Sequence, residues 1–128
     1  MSGPPIEIVL VKQVAGYLAM PVFLVDEDGT LTYYNEPAEV LLGQRYEETG
    51  QIPLDVWGKL WTPAHPDGRP LAPDELPVAV AGRDRRPVQG VVSIRGLDGI
   101  DRELTITALP LEASDGSHLG VFAFFWET

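Results

Sequence analysis

The chain has 128 residues, the length of a single domain, and 45% of them are hydrophobic, which is typical of a folded protein rather than a disordered one. Nineteen acidic residues against nine basic ones give a net charge of −10, which disfavours binding to nucleic acid or to an anionic membrane surface. The lack of cysteine excludes disulfides, thiolate metal sites and a thiol nucleophile. The N-terminal residues lack the pattern of a signal peptide, and no apolar run reaches the roughly 20 residues of a membrane span, so we expect a cytoplasmic protein.

The first element predicted along the chain is a helix over residues 6–18. Residues 6–11 are also compatible with a strand, but four apolar residues recur at helical spacing and favour the helix: Ile6, Leu10, Val14 and Tyr17. We expect residues 2–5 to lead into this helix and Gly16 to lie near its end. Residues 1–20 are therefore expected to form a flanking helix, and residues 21–128 the domain itself.

Three Asp-Gly pairs predict tight turns between strands, because glycine supplies the positive φ that hairpin turns require. These pairs are Asp28-Gly29, Asp98-Gly99 and Asp115-Gly116. The strands that they separate are expected at residues 22–26, 31–35, 88–95, 102–111 and 118–126. The order is a hairpin near the N-terminus and a three-stranded meander at the C-terminus.

The apolar pattern of these strands predicts how the sheet is covered. Residues 22–25 and 121–126 are apolar on both faces, which is typical of central strands covered on both sides. We expect the mid-chain helices on one face, and the N-terminal helix or a partner subunit on the other. Residues 102–108 alternate instead, with Ala108 among the inward positions, so that strand is expected near an edge or partly solvated.

Short helices alternate with proline-rich breaks between the hairpin and the meander. Asn35 can cap a helix over residues 36–42 that Gly43 ends. Asp74 can cap another helix over residues 75–81 that ends at Gly82. A further short helix is predicted over residues 52–60, and residues 62–73 hold four prolines and a glycine, which indicates a loop.

The segment from Val22 to Gly43 carries a recognisable motif. It has an apolar strand, the turn Asp26-Glu27-Asp28-Gly29, a second strand that ends in Asn35, and a helix that closes with Leu41-Leu42-Gly43. This arrangement resembles the PAS domain family, and the resemblance extends over residues 21–128. Side chains at such junctions act as caps, so we expect Asn35 to bond free backbone groups at the helix start and Asp26 to bond the turn amides.

Two later stretches add to the resemblance. Asp67-Gly68-Arg69-Pro70-Leu71 followed by Asp74-Glu75-Leu76-Pro77 is similar to a loop and short helix of one PAS subgroup. PAS domains commonly finish in a D-x-T motif that leads to an output domain, and here the final residues are Trp126-Glu127-Thr128, with Glu in the Asp position. Both a stand-alone module and a piece of a longer receptor remain open. The fold that the resemblance implies is α+β, a five-stranded antiparallel sheet with short helices on one face.

The resemblance also implies a pocket between the sheet and the mid-chain helices. Its candidate ligand-binding residues are Tyr34, Trp57, Trp61, Val80, Val92, Leu104 and Ile106. The alternative is that these side chains fill the core, which is the more frequent role of large aromatic residues. An open pocket of this composition would take a small, mostly apolar molecule.

Neither a cofactor nor a metal is expected. Haem in this family needs a histidine on the helix facing the sheet, whereas residues 75–81 contain none, and His65 and His118 lie far apart in the sequence. The missing cysteine excludes a flavin-thiol photosensor, and a non-covalent flavin is left open. Ser93, Ser114 and Ser117 have no nucleophile motif, so we do not expect an enzyme.

Three functions are compatible with these features. The leading interpretation is a signalling module that forms homodimers and contacts partner proteins through the N-terminal helix and the outer sheet face. The second is a receptor for a small apolar molecule or non-covalent cofactor, and the third is an enzyme or adaptor. The basic cluster Arg83, Arg85 and Arg86 is expected to be a hydrated loop rather than an anion site.

Overall fold

The computed structural model describes residues 5–128, so most of the lead-in expected over residues 2–5 lies outside the described part. One five-stranded antiparallel sheet is accompanied by five helices, which confirms the α+β class. In chain order the elements are α1 Ile6–Tyr17, β1 Val22–Asp26, β2 Leu31–Tyr34, α2 Glu36–Leu42, α3 Tyr46–Thr49, α4 Leu54–Leu60, α5 Pro77–Asp84, β3 Val88–Arg95, β4 Asp101–Glu112 and β5 His118–Glu127.

The strand order in the sheet is β2-β1-β5-β4-β3. Sequential hairpins join all neighbours except β1 and β5, which pair across the middle of the sheet, with Phe23 opposite Ala123. The prediction that these two strands are central is confirmed. The two edge strands are β2 and β3, and β4 lies next to β3 with its outward threonines, Thr105 and Thr107, partly exposed.

Close contact between β1 and β5 depends on Gly120. This residue has a φ of 141°, and a Cβ atom built there would lie 2.0 Å from the carbonyl oxygen of Val25. Any side chain at this position would therefore push the two central strands apart.

Each face of the sheet has a different cover. The inner face packs against α2, α4 and α5 and forms the main core, around Phe23, Val92 and Leu104. On the outer face, α1 lies beside β1, where Val22 and Leu24 are fully buried. The helix predicted for residues 6–18 is therefore confirmed within one residue, and Ala15 is its one buried residue.

The helix predicted over residues 75–81 is placed wrongly. Residues Pro73–Glu75 form a single 3₁₀ turn, and α5 begins only at Pro77 and continues through Gly82 to Asp84. Pro77 explains the start, because the residue before a proline is disfavoured in the α conformation, and Leu76 is extended with a ψ of 144°. Gly82 does not end the helix, which ends at Arg85 in a left-handed conformation with a φ of 53°.

Two other differences are smaller. Helix α4 begins at Leu54 rather than at residue 52, because Ile52 forms an isolated bridge with Leu31 and Pro53 then starts the helix. The four-residue helix α3 was not predicted, since a single turn is too short to show a helical period. The segment over residues 62–73 is a loop as expected, apart from the 3₁₀ start and single bridges at Ala64.

The side chain of Asn35 is the buried polar group at the junction of α1, β1 and α2. Its Oδ1 accepts hydrogen bonds from the backbone N–H of Val22 at 2.9 Å and of Ala38 at 3.2 Å. Its Nδ2 donates to the carbonyl oxygens of Ala15 at 3.0 Å and Met20 at 2.9 Å. The predicted cap of α2 is confirmed, and the same amide also holds the end of α1.

Substitution of Asn35 tests this role. Asn35→Ala removes all four hydrogen bonds and leaves buried backbone groups unpaired, so the free energy of unfolding should fall by about 3 kcal/mol in urea denaturation. Asn35→Asp keeps the cap oxygen but replaces the Nδ2 donor, so hydrogen exchange should show α1 losing protection before α2 does. Equal protection of the two helices in Asn35→Asp would contradict the assignment.

Candidate functional site

A small cavity lies in the core between the inner face of the sheet and helices α4 and α5. Its volume is about 50 Å³, enough for a few atoms and well below the roughly 300–1,000 Å³ of most small-molecule sites. The residues in its wall are all apolar or aromatic: Phe23, Leu42, Trp57, Trp61, Pro63, Leu76, Pro77, Val78, Val92, Ile94, Leu104, Ile106, Ala123 and Phe125.

Five of the seven predicted ligand-binding residues line this cavity. They are Trp57, Trp61, Val92, Leu104 and Ile106. Val80 is absent from the wall and Val78 is present instead, because α5 begins at Pro77 and its inward positions differ from those of the predicted helix. That these residues bind a ligand stays a prediction.

Tyr34 lies in the core next to the cavity rather than in its wall. Its hydroxyl donates to the carbonyl oxygen of Gln44 at 3.0 Å and lies 3.1 Å from Oγ1 of Thr49. Burial is the main cause that raises the pKa of Tyr34 above its usual value, so the hydroxyl remains protonated at neutral pH. The side chain joins β2 to α3 and has no free donor for a ligand.

Aromatic rings around Phe23 form much of the wall, with contributions from the sheet and from α4. The ring centroid of Phe23 lies 5.9 Å from the centroids of Trp57 and Trp61 and 5.2 Å from that of Phe125. Each indole N–H already has a backbone acceptor, the carbonyl of Gly29 at 2.8 Å for Trp57 and that of Leu42 at 3.1 Å for Trp61. The wall therefore offers no free hydrogen-bonding side chain, and no acid, base or nucleophile.

Neither a flavin nor haem fits this cavity. A volume of about 50 Å³ is too small for a ring system of either kind, and the wall offers no polar partner for one. His65 lies near Glu75, with 3.8 Å between Nε2 and Oε2, and His118 lies at the start of β5. Neither histidine is part of the cavity wall. Among residues 5–128, no group of three or more His, Cys, Asp or Glu side chains is arranged to hold a metal ion.

Several wall residues were missed by the sequence reasoning, although a signal for some of them exists. Ala123 and Phe125 share one face of β5 by simple alternation, and Phe23 occupies the facing position in β1. Leu42, Leu76 and Pro77 come from helix ends, where periodicity carries little information.

A buried arginine links the cavity wall to the end of the chain. Nη1 of Arg102 donates to the carbonyl oxygen of Leu41 at 2.9 Å, next to the wall residue Leu42. The same guanidinium lies 3.7 Å from a carboxylate oxygen of Asp98 and 3.6 Å from one of Glu127, and the Arg102 side chain is only 12% exposed. The last turn of α2 and the C-terminal end of β5 are thereby held by one side chain.

The opposite side of the molecule presents apolar groups to solvent. Phe122, Phe124 and Trp126 form a row on the outer face of β5, with 6.2 Å between successive ring centroids. The apolar stripe of α1, consisting of Ile6, Leu10, Val14 and Tyr17, also points away from the sheet and is exposed. We call these seven residues together the outer surface. Among residues 5–128, no helix is both long enough and apolar enough to cross a membrane.

Comparison with protein-family models and with curated protein sequences finds no match. Solved structures are similar in fold. A PAS domain of a protein from Colwellia psychrerythraea has a TM-score of 0.67 and 15% identity, covering 95% of this chain and 97% of that one. The PAS domain of Bordetella pertussis BvgS has a TM-score of 0.65 and 11% identity, covering 95% and 85%. The light-state dimer of the fungal blue-light photoreceptor Vivid has a TM-score of 0.67 and 16% identity, covering 99% and 97%.

A cavity-filling substitution tests whether the void is present in solution. Val92→Ile adds one methylene to the wall, and we expect the free energy of unfolding to rise by about 0.5–1 kcal/mol because apolar area is buried without strain. The matched control is Val91→Ile on the exposed face of β3, which should leave it unchanged. Destabilisation by Val92→Ile in urea denaturation would mean that the core is already full.

Proposed function

We propose that this chain, which has the PAS fold, is a signalling module that acts through self-association and protein contacts rather than through catalysis. The observation that carries the proposal is the outer surface, where the α1 stripe and Trp126 are exposed and Phe122 and Phe124 are only half-buried. Solvent-exposed apolar groups in clusters, as opposed to single residues, mark interaction sites in folded proteins.

The stripe on α1 supplies the helical part of this surface. Ile6, Leu10 and Val14 are more than half exposed, and Tyr17 is 91% exposed. The opposite side of the helix, around Ala15, is the side that meets the rest of the protein. A helix that is apolar on both sides is expected to have a partner on each side.

The aromatic row supplies the sheet part. Trp126 is 37% exposed and stacks on Phe124, with 25° between the ring planes. Val91 at the edge of the sheet is similarly exposed. Aromatic residues contribute most to association when they become desolvated, so this row is well suited to the centre of an interface.

The occupant that we propose for the outer surface is a second copy of this chain. A twofold dimer needs one patch that is complementary to itself, and an apolar helix beside an apolar sheet face meets that need without pairing charges. Each copy carries a net charge of −10, so contact elsewhere on the surface is disfavoured. The structure of Vivid, to which this chain is similar in fold, is that of a dimer, which supports self-association.

A receptor for a very small apolar molecule is the second candidate, and the cavity of about 50 Å³ is the observation that favours it. Such a molecule would have only a few heavy atoms unless the wall moves. The residues proposed to contact it are Trp57, Trp61, Val92, Leu104 and Ile106, with Tyr34 behind them, whereas Val80 lies away from the wall.

Self-association is tested by placing a charge on the outer surface. Val14→Glu puts a carboxylate in the middle of the α1 stripe, and we expect the dimer dissociation constant to rise at least about tenfold in analytical ultracentrifugation because the charge loses its hydration at the interface. Val40→Glu on α2 is the matched control, since Val40 is a helical valine outside the outer surface and, like Val14, is more than half exposed.

Thermal unfolding should be nearly the same in the two variants, because both positions are exposed in the protomer. A parent chain that remains monomeric at high concentration would refute self-association, and equal dissociation constants in the two variants would place the interface elsewhere.

A further inference from the structure

A groove distinct from the cavity opens on the helix side of the protein. It has a volume of about 420 Å³ and lies between the β1–β2 turn, α4, α5 and the start of β5. This volume falls in the range of small-molecule sites. The groove shares no residue with the outer surface, so the two proposed sites are distinct.

The floor of the groove is apolar. It is formed by Val25, Leu54, Trp57, Val78 and Val121. Trp57 and Val78 also belong to the cavity wall, so these two side chains separate the groove from the cavity. Gly82 allows α5 to approach β5 here, because a Cβ atom at Gly82 would come within 3.3 Å of Cγ2 of Val121.

The rim of the groove carries charges of both signs. Glu27 and Asp28 in the β1–β2 turn and Asp74 before α5 form its acidic part. Arg83 and Arg85 at the end of α5 form its basic part. Arg83 is paired with Asp84 at 3.1 Å, whereas none of Glu27, Asp28, Asp74 or Arg85 forms an ion pair with any of residues 5–128.

Arg85 occupies an unfavourable backbone conformation at this rim. Its φ of 53° and ψ of 43° lie in the left-handed region, where glycine is the least strained residue and an arginine is strained. A glycine would end α5 at lower free energy, so the strain favours a role for the guanidinium itself.

His118 adds a second unpaired group beside Arg85. Its Nδ1 atom is buried without a hydrogen-bond partner among the described residues. Burial is the first cause that lowers the pKa of His118, and the nearby positive charge of Arg85 is the second. The carboxylates of Glu27 and Glu112 act in the opposite direction, so the neutral ring has charges of both signs nearby.

We propose that the groove binds a small dipolar molecule with an apolar body, of the class of α-amino acids with an apolar side chain. Its carboxylate pairs with Arg85 next to His118, its ammonium group faces the carboxylates of the β1–β2 turn, and its side chain lies on the floor beside Trp57. Charge complementarity decides the class, because a plain anion is repelled by the acidic rim and a plain cation leaves Arg85 unpaired.

Titration with three related compounds tests the proposal. L-Phenylalanine, 3-phenylpropionate and phenethylamine share the phenyl group but carry both charges, only the carboxylate, or only the ammonium. We expect L-phenylalanine to shift the NMR resonances of residues 26–29 and 78–85 and of the Trp57 indole, with each analogue binding at least about tenfold more weakly. No shift with L-phenylalanine, or tighter binding of either analogue, would overturn the proposal.

Variants of the basic turn provide the matched control. Arg85→Gln should weaken binding of L-phenylalanine at least about tenfold, whereas Arg86→Gln should change it less than about twofold, because Arg86 pairs with Asp84 outside the groove. Arg85→Gly should raise the melting temperature by relieving the strain while weakening binding as much as Arg85→Gln. Equal effects of Arg85→Gln and Arg86→Gln would overturn the assignment. Repeating the L-phenylalanine titration on the Val14→Glu variant measures binding in the groove when self-association is weakened.

Discussion

The hydrogen bonds of the Asn35 amide hold the end of α1, the start of β1 and the first turn of α2 at one buried point. A buried amide is costly to leave unpaired, so moving any one of these three elements away would break hydrogen bonds of Asn35. The amide therefore fixes the three elements relative to one another. For α1 this contact matters because the stripe of Ile6, Leu10, Val14 and Tyr17 points to solvent, so attachment comes from the opposite side of the helix, around Ala15. The proposed interface on α1 therefore depends on a polar contact on the opposite side of the helix.

Much of the fold follows from signals that are local in the sequence. The Asp-Gly turns fix the strand boundaries, and alternation within β5 assigns Phe122 and Phe124 to one face and Ala123 to the other. The turn at Asp26 is as predicted, with Oδ1 accepting from the backbone N–H of Asp28 and of Thr30. The cap at Asn35 was predicted for the same reason. Its bonds to Ala15 in α1 and to Met20 just before β1 span twenty and fifteen residues and have no signature in the sequence.

The errors concentrate where two local rules compete. In the segment before β3, Asp74 is a good capping residue, but Pro77 forces Leu76 into an extended conformation and delays the helix. The delay changes which residues of α5 face inward, so that Val78 rather than Val80 lines the cavity. The size of the cavity could not be predicted at all, because it depends on how the rings of Phe23, Trp57 and Trp61 pack together in three dimensions.

The alternation of β5 has a consequence for how the proposed sites could influence one another. Two residues of β5, Ala123 and Phe125, belong to the cavity wall. Each is covalently adjacent to residues of the outer surface, namely Phe122, Phe124 and Trp126. A close-packed protein interior transmits strain, so a ligand that expands the cavity wall must displace β5 or the helices. The helix side is tied through Trp57 to the carbonyl of Gly29 and through Arg102 to Glu127 at the end of β5. Because β5 carries wall residues on one face and outer-surface residues on the other, it is the element through which binding on the helix side would change association on the outer surface.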